Sequence, residues 1–451
     1  MKADQSNDAS ASAEERFADW VAAIERALAP GERYTATCAG EQTDFARLNR
    51  GKVRQAGSVA QNELSIRLVR GIRHAEHALA MSGDGEADRD AIAGAIAGLR
   101  DALPDLADDP HLLLPERVES TRVSRAGSLP PAEAVVDEVL AAAHGLDLVG
   151  LYAAGPVWRG FANAEGQRNW HSAETFNLQW SLYDRADKAV KSAYAGFAWD
   201  PGEWASRMAA ARERLALVAR PAVSLAPGRY RAFLAPSAVD EIASILGWGG
   251  FSARALETRQ SPLTRMRAGE RLDPRVTIDE DTAGGVAPGF QAEGFSRPAR
   301  VPLVREGELV GALTSPRTAR EFSIPANGAN GDEMPEALAM AGGDLPAEDA
   351  LAALDDGLWI GNLWYTNYSD RPACRITGMT RFATFRVERG RIVAPVDVLR
   401  FDDTIYRMLG ANLEALTRET ELLLAPDTYR SRQLASTRVP GALVRELAFT
   451  L

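Results

Sequence analysis

RYRAFLAPSAVDEIASILGW, residues 229–248, is the stretch that sorts the rest of the chain. Arg229 to Leu234 reads as a strand. Pro236-Ser237 then opens a short helix through about Leu246, with Ser237 as its expected N-cap. The texture differs on either side. Upstream, Phe17, Trp20, Val21, Ile24 and Leu28 recur at helical spacing until Pro30-Gly31. Gly-punctuated segments over 33–81, with Leu64, Ile66 and Leu68 at period two, read as strands joined by tight turns. Helical patterns follow at about 86–107, 131–144 and 201–219, with strands between 146 and 184. Downstream come many short strands separated by Gly, Pro, Asn and Asp, including the hairpin-like VREGELVG and VERGRIVAP. The expected class is α+β. A small polar tail over 1–12 is expected to be disordered. An N-terminal α/β domain of helices on a sheet occupies 13–225, and a mainly antiparallel β domain occupies 226–451.

Composition narrows the function classes. With 46% hydrophobic residues, the 451-residue chain can bury a large core. A net charge of −11 without a basic run argues against nucleic acid as a partner, because phosphate binding needs concentrated Lys and Arg. The two cysteines, Cys38 and Cys374, cannot define a disulfide scaffold. A cytoplasmic location is expected, since the start of the chain lacks an apolar leader core and no segment approaches the roughly 18–20 apolar residues of a membrane span.

The order of features in the second half carries a family resemblance. FLAPSAVDEIASILGW is followed by Phe290, Glu293 and Gly294, by a hairpin turning at Gly307, by SPRTARE, by Asn327-Gly328, and by GLWIGNLWYTNYSDRPACRITGMTRFATFRVERGRIVAPV at 357–396. With Gly378, Phe382, Gly390 and Pro395-Val396 at their spacing, this resembles the TldD/PmbA family of peptidase-related proteins. The first half, with its RGFANAEG segment, is similar to that family's α/β domain. Catalytic subunits of the family carry His-Glu-x-x-x-His on the short helix and a Cys near the C-terminus. The histidines and the Cys hold Zn²⁺, and the Glu serves as base for a metal-bound water. Here the matching helix positions are Asp240, Glu241 and Ile245, and APDTYRSRQLAS near the C-terminus has no Cys. The resemblance therefore implies no metal and no cofactor, as in the PmbA/TldE-like subunits that lack the His pair.

Candidate site residues divide into two sets. Asp240 and Glu241 are candidate catalytic carboxylates, a general acid/base pair, or first-turn acids stabilised by the helix dipole. Cys374, flanked by Arg371 and Arg375, is either a cleft thiol or a small hydrophobe on a sheet. Trp364, Tyr365, Asn367 and Asp370, with Arg381, suit a surface holding an extended peptide, or else a sandwich core and turn. His171 beside Trp170 is a candidate to line a cleft, Arg381 and Arg317 are candidates to meet carboxylates, and the long segment 316–346 is a candidate lid.

The resemblance implies a dimer around a peptide-admitting cleft, with this chain as metal-free subunit. Its partner is either a zinc-bearing TldD-like subunit or a second copy. Two alternatives stand beside this reading. One is a metal-independent enzyme that makes or breaks an amide bond in specialised-metabolite (antibiotic) biosynthesis. The other is a non-catalytic binding or scaffold protein.

Overall fold

A computed structural model describes residues 2–185 and 188–450, and of residues 2–8 the backbone alone. The first half contributes helices α1 (Lys2–Ala27), α2 (Gly85–Ala102), α3 (Ala132–Ala142) and α4 (Pro201–Val218). Its strands are β1 (Arg33–Asn49), β2 (Lys52–Arg70), β3 (Arg73–Met81), β4 (Thr121–Arg125), β5 (Asp147–Asn163), β6 (Arg168–Arg185) and β7 (Lys188–Gly196). They form one sheet in the order β3-β2-β1-β5-β6-β4, with β7 also on β6. All pairings are antiparallel except β4 with β6.

Alternation along the strands gives this sheet two unlike faces. Tyr34, Ala36, Leu64, Ile66, Trp158 and Trp170 point to one face, where α1 and α2 cover them. Further along the same face, Tyr152, Phe176, Leu178 and Trp180 pack under α3 and α4. The other face carries Glu41, Arg159, His171, Thr175 and Asn177, and turns towards the second half of the chain. The segments read as three strands between 146 and 184 are two long ones. Helix α1 starts at Lys2, so of the tail expected over 1–12 the described residues, 2–12, are helical, and Met1 lies outside the described residues. Ala- and Ser-rich sequence tolerates this conformation, and Ser10 and Ala13 are buried there.

The second half adds β8 (Gly228–Leu234), α5 (Pro236–Gly247), three short helices (Ala253–Glu257, Thr264–Arg267, Pro316–Phe322) and a fourth at Ala350–Leu354. Its other strands are β9 (Ile278–Glu280), β10 (Val301–Arg305), β11 (Glu308–Leu309), β12 (Ala337–Met340), β13 (Gly357–Asp370), β14 (Arg375–Glu388), β15 (Arg391–Pro395), β16 (Arg400–Thr404), β17 (Leu413–Leu424) and β18 (Ser436–Phe449). β8 pairs with both β13 and β18, so β8, β13, β14, β16 and β18 close into a ring. α5 packs on β13 and β18. Its buried positions, Ala238, Val239, Ile242, Ala243, Ile245 and Leu246, recur every three or four residues and form one apolar stripe. Pro236 occupies the first helical position, where a missing N–H costs nothing. Ala235 is the N-cap, without a side-chain bond, so Ser237 lies inside the helix rather than capping it. Gly249, at φ +76°, lets the chain turn away after Trp248.

The segment 316–346 is pinned rather than lid-like. Glu333 is fully buried and accepts from the Ser252 hydroxyl at 2.6 Å, Arg254 N–H at 2.9 Å and Ser315 N–H at 2.8 Å. Arg317 does meet a carboxylate, Asp109, at 2.8 Å.

Candidate functional site

α5 presents Asp240 and Glu241 on the flank left by its apolar stripe, where both are half-buried. Each is held by a threonine from a different strand. The Thr437 hydroxyl, on β18, bonds Asp240, and the Thr366 hydroxyl, on β13, donates to Glu241 Oε2 at 3.2 Å. Lys191 of β7 and Glu421 of β17 complete the electrostatic surroundings. Glu421 is itself engaged by Arg207 of α4 at 2.5 Å. The site therefore lies where the first sheet meets the ring. Burial, reinforced by the negative charges of Glu241 and Glu421, pushes the Asp240 carboxyl up to about 6, against the Thr437 bond and Lys191. Burial also raises Glu241, opposed by Thr366 and Lys191.

A cavity of about 240 Å³ opens beside Asp240. Asp240, Ser244 and Thr437 line its polar side. The rest of its lining is mainly apolar, from α5, from the loop before β12, and from the segment joining β17 to β18. That segment is strapped to the first sheet. Arg432 is buried and donates to Gly155 O at 2.9 Å, Thr175 O at 2.9 Å and Thr175 Oγ1 at 2.7 Å.

The hairpin β13–β14 brings several expected residues to this place. The register breaks between Trp364 and Asn367, with Tyr365 at φ +57°. The break turns out an aromatic ledge in which Tyr365 is 72% exposed and Trp364 40%. Arg381 lies 3.6 Å over the Trp364 ring, a cation–π contact. Thr366 belongs to the same break, so the ledge and the carboxylates share one element. Asn367 and Asp370 are spent on the hairpin: Asn367 Oδ1 accepts from Tyr368 N–H at 2.8 Å and Asp370 Oδ1 from Ala373 N–H at 3.1 Å.

Two expected site residues lie elsewhere. Cys374 is fully buried in the ring's apolar core, and burial pushes its thiol up to about 12. It is the small hydrophobe, not a cleft thiolate. His171 is 3% exposed. Its Nε2–H donates to Val286 O at 3.0 Å, since a carbonyl can only accept. Burial lowers its pKa to about 4, so it is neutral and ties the sheet to the second half instead of lining a cleft.

Lys191, Thr366, Glu421 and Thr437 were not singled out in the sequence. Lys191 stands among small residues in the strand KAVKSAYAG, but no spacing links it to a residue some fifty positions on. The residues present do not fit a zinc site. Ile245 is 7% exposed and has no donor atom, and among the described residues no group of three His, Cys, Asp or Glu side chains is placed to hold a metal ion.

Residues 227–451 match the family model of the PmbA/TldA metallopeptidase C-terminal domain. Among solved structures, TldE from Thermococcus kodakarensis superposes with a TM-score of 0.76 at 15% identity, over 95% of this chain and 98% of that one. A candidate modulator of DNA gyrase from Bacteroides thetaiotaomicron does so at 0.74 and 14%, over 97% and 99%. Another from Thermotoga maritima gives 0.72 and 14%, over 96% and 99%. No curated protein sequence matches significantly. Among the described residues, no helix is long and apolar enough to cross a membrane. By the match of its C-terminal half, and by a fold shared across nearly its whole length, the chain belongs to the TldD/PmbA family.

Proposed function

We propose that this chain is a metal-free TldD/PmbA-type subunit that holds an extended peptide in the cleft at α5 and supports proteolysis by a zinc-bearing partner subunit. One observation carries the reading. The helix that bears the metal ligands in the family's catalytic subunits here bears a carboxylate pair bonded to Thr437 and Thr366, with an apolar cavity on one side and the Trp364–Tyr365–Arg381 ledge on the same hairpin as Thr366. Such a surface suits chain segments, which offer apolar side chains and backbone polar groups together. The test is reconstitution. The purified chain, a family subunit that carries His-Glu-x-x-x-His, and their mixture are assayed for cleavage of a denatured protein. The reading requires that a complex form, and that the mixture cleave faster than either component. One tightly held Zn²⁺ per copy of the isolated chain, or a homodimer indifferent to such a partner, would sink it.

A second reading draws on the raised Asp240. A carboxyl poised near neutrality beside another carboxylate is equipped to give and take a proton. A metal-independent step on an amide would then use Asp240 and Glu241. If Asp240→Asn and Glu241→Gln each leave a measured amide-forming or amide-cleaving activity intact, this reading is excluded.

A further inference from the structure

We infer that the cavity beside Asp240 is a specificity pocket for one apolar side chain, of leucine, methionine or phenylalanine size, on the bound peptide. This rests on the peptide-holding reading above and names what the cleft selects. Size comes first. A dry cavity of roughly 150 Å³ accepts benzene, so about 240 Å³ admits a branched aliphatic or phenyl side chain.

The lining comes second. Ala243, Pro335, Leu338, Leu423, Leu424 and Met334 contribute carbon surface, and Met334 is 42% exposed, which leaves the cavity reachable from solvent. An acidic side chain would meet the combined charge of Asp240, Glu241 and Glu421 around it. A basic side chain would find Asp240 bonded to Thr437 and already facing Lys191. Third, Ser244 is exposed and lines the same cavity, and among the described residues its side chain makes no hydrogen bond. It is therefore available to the peptide backbone that brings the side chain in.

The test uses the purified chain and fluorescein-labelled octapeptides of Ala and Ser, with blocked ends and one guest residue, read by fluorescence anisotropy. Leu, Met and Phe guests bind about tenfold or more tighter than Ala, as expected for burying one large apolar side chain, while Lys and Asp guests bind no tighter than Ala. Two variants locate the effect. A Cβ on Gly247 meets only Pro335, at 3.5 and 3.6 Å, so Gly247→Leu fills the pocket from its wall without a backbone clash. Met334→Asp places a charge at the solvent side, on a residue whose exposure makes misfolding no concern. Each brings the Leu, Met and Phe guests to within about threefold of Ala. A Lys guest binding tightest, an even spread across guests, or a preference that survives both variants overturns the pocket and leaves the peptide-holding reading standing. No binding of any peptide overturns both.

Discussion

The carboxyl of Asp240 makes a prediction that depends on nothing but its surroundings. Its ordinary value is 3.8, and in the fold it stands at about 6. At 1.36 kcal/mol per unit, roughly two units disfavour the ionised form by about 3 kcal/mol, which solvent access to a half-buried group trims to about 1–3 kcal/mol. The sign follows from proton counting. Between about pH 4 and 6 the folded chain holds a proton that the unfolded chain has lost, so stability falls as pH rises through that window. The full deficit is present above it. Asp240→Asn cannot ionise, yet its Oδ1 can still accept from Thr437. The variant is therefore expected to match the parent near pH 4 and to exceed it by about 1–3 kcal/mol at pH 8, with the difference opening between. Urea midpoints of both proteins at unit pH steps provide the measurement. Glu241, Glu421 and Lys191 face the same group, and the parent-minus-variant difference removes their independent titration. A variant less stable than the parent at pH 8, or a difference that is flat with pH, refutes the reasoning.

Three further outcomes are expected. Neither Cys38 nor Cys374 should react with a thiol reagent in the native protein, because both are buried with thiols pushed up to about 12; both should react once urea unfolds the chain, and rapid native labelling of Cys374 would return it to the cleft. Arg432→Ala removes its bonds to Gly155 O, Thr175 O and Thr175 Oγ1, at about 1–3 kcal/mol for each group left buried without a partner; the thermal midpoint should fall and proteolysis between 425 and 435 should accelerate, whereas an unchanged digestion pattern would mean that the strap does not depend on Arg432. Arg381→Ala removes a cation–π contact that holds the Trp364 ring, at about 0.5–1 kcal/mol of stability; with the ring no longer held, octapeptide affinity should drop, and unchanged affinity would take the Trp364 ledge out of the binding surface.

The fold class was legible because periodicity survives in a single chain. Leu64, Ile66 and Leu68 announce a strand with one buried face, and the stripe at Ala238, Ile242 and Ile245 announces a helix with one. Less legible were features in which a local signal competes with a distant partner. Ser237 is a good cap residue, yet proline's preference for the first helical turn moved the boundary to Ala235. Asn367 and Asp370 have the chemistry of ligand contacts, but a bulged hairpin leaves N–H groups that nearby side chains satisfy first. The segment 316–346 has a lid's length, but Glu333 collects three donors that lie far from it in sequence.

Taken alone, the sequence determined the α+β class, the family resemblance and the loss of both helix histidines, since residue identity settles that Ile245 has no atom to bind a metal. Only the tertiary structure decided what stands around Asp240 and Glu241. Thr366, Glu421, Thr437 and Lys191 come from four strands, and the closing of the ring against the first sheet is what brings them to α5. Burial is a property of that closure, not of any local stretch. It is burial that raises one carboxyl towards neutrality and silences Cys374 and His171.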